Sequence, residues 1–442
     1  MSHLGTADKL YLPKAVKMAV KTLVRLGMYH LVFIVIIGKC AGVLPSYFPA
    51  LNSGHAERDE LIESYFKTGL GYDEILLLLG LLHGTALSMR QLKRILKSRG
   101  LRRRANRSNP RQVCRAIEEE LLGSGSTIGY RQMTQRLVHN YGLVVDKETV
   151  RELLKILAPD GVAARSKHRL RRRQYITKGP NHLWHIDGYD KMKPFGFCVH
   201  GAIDGYSRRI MWLEVGPTNN DPSVIAQYFV DCVRQIGGTP RLIRADNGTE
   251  NVNVAALQRF FRRNGNDALA GEKRFLYGKS VTNQRIEAWW GILRRGRADW
   301  WIRSFKDMRD CGLYCDDDAV QAECLKFCFM PVIRHELHKV AVLWNLHNIR
   351  PSTNQESPSG KPDMLYFVPE VTGGEDLKVQ VDLDDVDVVE DCCHRSPESG
   401  CVKEFTELAS IIMHEQNLNT AGVAEEALML YSTLLECIDE LL

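Results

Sequence analysis

The sequence predicts an α/β protein: a mixed sheet flanked by helices, preceded by all-α helix-turn-helix units. Three observations predict it. Short helical segments separated by glycine-bearing turns run from about residue 57 to residue 157. After Gly179–Pro180, apolar strand-like runs appear first in a hairpin pattern and then alternate with helices. All seven tryptophans fall between that break and Trp344, so the largest apolar core belongs there. A chain of 442 residues has room for about two to three domains. Its 44% hydrophobic and 25% charged residues exclude a disordered chain, a collagen-like fibre and a disulfide-built miniprotein. Twelve cysteines with no short framework spacing point to a reducing compartment, cytosolic or nuclear.

Residues 1–50 offer one feature, the apolar run Leu26 to Gly38 between Arg25 and Lys39. Its 13 residues fall short of the roughly 20 that span a bilayer. A long polar leader and no clear small-residue cleavage site argue against a signal peptide, so a buried helix, or a start region poorly joined to the rest, is expected and a membrane partner is not.

Residues 51–107 read as a helix-turn-helix unit. Leu61, Ile62, Tyr65 and Phe66 sit at helical spacing before Gly69 and Gly71. Tyr72 to Leu82 forms a second helix, and Ser88 caps a third, Met89 to Ser98, stopped by Gly100. Nine Lys or Arg residues lie between Arg90 and Arg107. Arg90, Lys93, Arg94 and Lys97 on the third helix and Arg102, Arg103 and Arg104 beyond it are candidate phosphate contacts to double-stranded DNA. The plain alternative is a solvated basic face.

Residues 108–175 hold a second helical unit and a basic linker. One helix ends at Gly142, and Asp146 caps the next, Lys147 to Leu157, before Pro159. It is either another helix-turn-helix or a helical spacer. The linker from Arg165 to Gln174 has six basic residues, Arg171, Arg172 and Arg173 among them, and suits DNA contact or nuclear import. A nuclear location follows, with the cytoplasm as a second compartment.

Residues 176–368 form the expected α/β core. The strands are 182–187, ending in Asp187, then 195–204 and 208–215 joined through Gly205, then 241–246, ending in Asp246 before the turn signal Asn247–Gly248. Helices are expected over 223–236, 254–264 and 283–295, the last carrying Glu287. Positions 283, 287, 290/291 and 294 share a helix face, which can offer a carboxylate to a metal and a guanidinium to a phosphate. Three ionised carboxylates in one site repel, each pair at about 4 Å by roughly 4 kcal/mol at an effective dielectric near 20. Divalent cations relieve this, and all-oxygen ligands suit Mg²⁺ or Mn²⁺. Two such ions serve phosphodiester chemistry. Spacing alone leaves the choice open, since Asp246 can equally be a residue that shapes a turn.

The residues 182–187 (HLWHID), 204–208 (DGYSR), 245–251 (ADNGTEN) and 282–287 (TNQRIE), in that order, resemble the catalytic-core blocks of retroviral-type integrases and related insertion-sequence transposases. Residues 344–367 resemble that family's downstream block, so the likeness spans about residues 176–368. It implies an RNase H-like fold and a DDE triad of Asp187, Asp246 and Glu287, which are also the metal ligands for two Mg²⁺ or Mn²⁺ ions. The 41 positions from Asp246 to Glu287 slightly exceed the usual interval, and a loop around 267–278 can absorb them. The helical stretch before the core resembles some insertion-sequence transposases, while the His-His-Cys-Cys zinc module of retroviral integrases has no counterpart. By the same resemblance, water frees a 3′ hydroxyl that attacks target DNA, no small-molecule cofactor takes part, and the protein works as a homo-oligomer. Asn283, Gln284 and Arg294 are candidates for positioning DNA. The competing reading is a transposon-derived DNA-binding protein without catalytic turnover.

Other groups read as structural. His182 and His185 lie three positions apart on a strand and point to opposite faces. Asp204 shapes its hairpin. Cys311, Cys315, Cys324 and Cys328 are spaced too widely for a usual zinc site. Trp289, Trp290, Trp300 and Trp301 are expected in the core. Residues 369–442 form an acidic C-terminal tail: from Val371 to Leu442, 17 acidic residues face 3 basic ones, leaving the remaining chain at +20. The tail either competes for a polyanion-binding surface or is merely solvated, and its last helix, from Ala421, has leucines spaced for packing.

Overall fold

The computed structural model describes residues 57–102, 107–126, 128–159, 177–265, 271–278, 282–351 and 358–441. The apolar run at 26–38, Arg103, Arg104 and the basic linker with Arg171, Arg172 and Arg173 lie outside the described residues.

Helices α1 (Arg58–Lys67), α2 (Tyr72–His83) and α3 (Met89–Ser98) close around Ile62, Tyr65, Leu78, Leu79, Leu92 and Leu96. Ser88 caps α3: its hydroxyl accepts from the Gln91 N–H at 3.3 Å while the Gln91 side chain accepts from the Ser88 N–H at 2.8 Å. Helices α4 (Pro110–Leu122), α5 (Tyr130–Tyr141) and α6 (Lys147–Leu157) enclose a second small core of Val113, Ile117, Met133, Leu137, Val150 and Leu154.

The central sheet has five strands in the order β3-β2-β1-β5-β6, with β1 (Leu183–Tyr189), β2 (Cys198–Asp204), β3 (Ile210–Gly216), β5 (Leu242–Asp246) and β6 (Phe275–Gly278). β1, β2 and β3 run antiparallel in sequence, whereas β1–β5 and β5–β6 pair in parallel. A two-residue strand, β4 (Gly238–Thr239), pairs with β7 (Val379–Gln380) outside this sheet. Helices cover both faces, and the architecture is a mixed α/β sheet of RNase H-like type.

Alternation along the strands explains the two layers. Trp184 and Ile186 of β1, Ala202 and Trp212 face α7 (Pro222–Ile236), α8 (Val252–Phe261), α12 (Pro362–Phe367) and α13 (Leu383–Glu390). Tyr189, Val199, Leu213 and Val215 face the other side, against α9 (Gln284–Leu293), α10 (Asp299–Asp310) and the 27-residue α11 (Ala319–Asn345). A π-helical turn, Arg294–Ala298, joins α9 to α10.

The acidic C-terminal segment departs from the tail expected of it. Helices α14 (Lys403–Glu415) and α15 (Ala424–Leu441) bury Phe405, Leu408, Leu434 and Ile438 in the same core as α11. α13 buries Val386 and Val389, while its acidic face pairs with Arg234 (Asp387 at 2.7 Å, Glu390 at 2.6 Å) and Arg263 (Asp385 at 2.8 Å). The leucine spacing of the last helix already implied a packing face, and burying such a stripe outweighs the solvation of the intervening acids. No helix among the described residues is long and apolar enough to cross a membrane.

Candidate active site

β1 places Asp187 at the centre of the sheet. On one side β5 runs parallel, with Trp184 opposite Ile243 and His185 opposite Arg244. Two residues further along each strand stand Asp187 and Asp246, so parallel pairing brings both carboxylates to the same end of the sheet. On the other side β2 sets Gly201 opposite Asp187.

Glu287 arrives from α9, and a buried clamp sets that helix against β1. The Asn283 amide donates to the Ile186 carbonyl at 2.8 Å, and its oxygen accepts from His185 Nδ1 at 2.7 Å. Both side chains are fully buried. Burial pushes His185 down to about 3, so the imidazole is neutral and carries its proton on Nδ1. Asn283, expected among the DNA-positioning residues, is therefore corrected to a structural clamp. A side chain with no exposed surface and both amide ends satisfied has nothing left to offer a nucleic acid.

Asp187 has the most perturbed environment of the three carboxylates. Burial pushes its carboxyl up to about 7; a hydrogen bond from Trp290 Nε1 to Oδ2, at 2.9 Å, opposes this, and the charges of Glu287 and Asp246 reinforce it. The three carboxylates thus share one electrostatic site. Trp290 was expected only to fill core, and its indole N–H also holds the central carboxylate. The available signal was chemical: a buried Trp N–H requires an acceptor. Gly201 makes room for that ring, because a Cβ there would sit 2.9 Å from Trp290 Cη2.

Asp246 accepts from the Gly248 N–H at 3.2 Å, closing the turn that ends β5. The Glu250 carboxylate folds over Gly248, where a Cβ would collide with it. Burial raises the Glu250 pKa, and the charges of Asp246 and Asp190 add to the rise. Sequence spacing did not single out this fourth acid.

The donor set is all carboxylate oxygen, and burial first, then the charges of Glu287 and Asp246, raise Asp187 to about 7, an arrangement that a divalent cation would relieve. Among the described residues no three His, Cys, Asp or Glu side chains converge tightly enough to hold one ion together.

The remaining candidates divide. Arg90, Lys93, Arg94, Lys97 and Arg102 are exposed, the first four on one face of α3. Lys93 Nζ lies 5.4 Å from the centre of the Tyr72 ring. Gln284 is half-buried at the first turn of α9. Arg294 opens the π turn, so it does not continue the α9 face, and it pairs with Asp299 at 2.9 Å. Asp204 is the hairpin residue expected of it: fully buried, it accepts from the N–H groups of Asn181 at 2.8 Å and Ser207 at 2.8 Å.

Residues 174–366 match the family model described as integrase core domain. A comparison with curated proteins finds no match to the chain.

Proposed function

We propose, from the match of residues 174–366 to the integrase core domain model, that the protein cuts and joins DNA strands by phosphodiester transesterification, with Asp187, Asp246 and Glu287 as its DDE triad. The observation that carries this reading is the parallel pairing of β1 with β5, which brings Asp187 and Asp246 to one end of the sheet where the Asn283 contact also sets the helix bearing Glu287. Asp187 and Asp246 would hold one Mg²⁺ or Mn²⁺ and Asp187 and Glu287 a second. When bound, such ions supply activation of a water or 3′ hydroxyl and stabilisation of the leaving oxygen.

The chain's own residues do the rest. Trp290 holds the Asp187 carboxylate by its indole N–H, and the Asn283 clamp keeps α9, and with it Glu287, at the end of β1. The exposed cations of α3 and Arg102 supply phosphate contacts in a helix-turn-helix reading of α1–α3, consistent with the general DNA binding of integrase-family domains. A multimeric assembly and a nuclear location belong to the same proposal.

Nicking and strand transfer on supercoiled plasmid with Mn²⁺ or Mg²⁺, comparing wild type with Glu287→Gln, tests it. Metal-dependent products from wild type alone are expected, with DNA binding retained by the variant. The second reading, a DNA-binding protein without turnover, is favoured by one observation: no three candidate ligands converge on a single ion position among the described residues. Equal binding and no product from either protein, across metals and with free 3′ ends supplied, would select it.

A further inference from the structure

Strand β6 is one edge of the central sheet, and it borders the candidate site. Parallel pairing sets Tyr277 beside Ala245 and Gly278 beside Asp246. Ligands of open parallel sheets sit beyond the carboxyl ends of the strands, and β1, β5 and β6 all end on that side. The chain then turns back toward α9. A Cβ on Gly278 would lie 2.6 Å from Thr282 Oγ1, and α9 begins at Gln284. Tyr277 therefore stands beside the end of the strand that carries Asp246 and near the start of the helix that carries Glu287.

Its exposure sets it apart from the other rings. Tyr277 is 43% exposed, and among the remaining described aromatic residues only Tyr141 is comparably open. The ring is nevertheless held. It leans on buried Phe275, with centroids 4.7 Å apart, and Phe275 belongs to the core on the α8 side of the sheet. Partial burial raises the phenol pKa, the charge of Arg259 on α8 lowers it and that of Glu250 raises it. The ring thus lies between a guanidinium and the acid folded over Gly248. A lone exposed ring needs no explanation in general. This one lies a single strand spacing, about 4.8 Å, from the backbone of Asp246, with support on one side and solvent on the other. Unpaired nucleic-acid bases stack on rings held in this way beside cations.

Alternation turns Tyr277 to the α8 side, while Asp187 meets Trp290 on the α9 side. A DNA strand with one phosphate at the carboxylates reaches Tyr277 by crossing the end of the sheet, and a base that makes this crossing has left its duplex partner. We propose that Tyr277 is a DNA-binding residue of the candidate site, on which an unpaired base next to the reacting phosphate stacks. The protein then prefers ends with a short single-stranded extension to blunt ends. DNA as the ligand comes from the function proposed above, but no cleavage is required.

Equilibrium binding of full-length Glu287→Gln, which leaves the DNA intact, tests this with two duplexes, one blunt and one with a short single-stranded extension carrying a fluorescent purine analogue. The extended duplex should bind more tightly, and stacking should quench the analogue. Adding Tyr277→Ala should weaken binding of the extended duplex about tenfold and abolish the quenching, with blunt-end binding unchanged. Tyr277→Phe, which keeps the ring, should behave as the parent does. Tyr277→Leu, which still covers Phe275 but has no ring, serves if Tyr277→Ala does not fold. Equal affinity of the parent for both duplexes, quenching that survives loss of the ring, or equal loss of blunt and extended binding in a folded variant would overturn the proposal. Absent strand transfer by wild type, with the preference for extended ends intact, would defeat the cutting and joining reading and leave this one standing.

Discussion

Asp187 is the buried carboxyl of the candidate site. Its folded pKa of about 7 stands above the ordinary value of 3.8, so between those pH values the folded protein holds a proton that the unfolded chain lacks. Metal-free stability therefore falls as pH rises through that window, by on the order of a few kcal/mol in all. Asp187→Asn removes the buried charge and should raise the melting temperature at pH 8 without metal, with the gain shrinking toward pH 4. Scanning calorimetry across pH checks this, and a pH-independent gain would contradict it. A divalent cation competes with the same proton, so its affinity should climb as pH rises toward 7 and level off above. Trp290→Phe tests the other side of the residue. Losing the N–H at 2.9 Å should weaken Mn²⁺ binding by roughly 10–100-fold, the usual effect of removing a partner that orients a ligand, as read by calorimetric titration.

At the scale of elements, the site depends on how β1 meets α9. Parallel pairing of β1 with β5 aligns Asp187 and Asp246 without help from any side chain, but Glu287 has no such register to place it. Asn283 supplies the placement by tying the start of α9 to Ile186 and His185. Asn283→Ala should cost about 2–4 kcal/mol of unfolding free energy, because it leaves the Ile186 carbonyl and the His185 N–H buried and unpaired. Urea denaturation measures that loss. Strand transfer should fall further than the remaining folded fraction accounts for, since α9 is then no longer held to β1.

At the scale of the whole molecule, the acidic C-terminal segment is part of the α/β body. α14 and α15 complete the core around α11, and α13 neutralises Arg234 and Arg263 on α7 and α8. Ending the chain after Glu370 should yield protein that does not unfold cooperatively and aggregates on expression, because the buried face of α11 is exposed. Circular dichroism and size-exclusion chromatography read this directly. A soluble truncated protein with tighter DNA binding would instead restore the picture of a competing tail. The second helical unit is tied to the same body at the π turn, through Arg297 to Ser124 at 2.8 Å and the Trp300 N–H to the Leu122 carbonyl at 3.2 Å.

Much of this was legible in the residues themselves. Met89 to Ser98 and Lys147 to Leu157 form the helices that their caps and glycines predict, and β1, β2, β3 and β5 fall within a few residues of their apolar runs. The carboxylates at 187, 246 and 287 were singled out by the resemblance of their sequence blocks to the integrase core, since spacing alone left the choice open. The sequence by itself therefore determined the elements and their order, since caps, turn residues and hydrophobic period act within a few positions along the chain. Only the tertiary structure decided that Asn283 is a clamp and not a DNA contact, that Trp290 holds Asp187, that Gly201 makes room for it, and that the acidic segment is core. Each depends on groups far apart in sequence meeting in a desolvated interior. There, burial and unsatisfied hydrogen bonds set a side chain's role, and residue type alone carries no record of them.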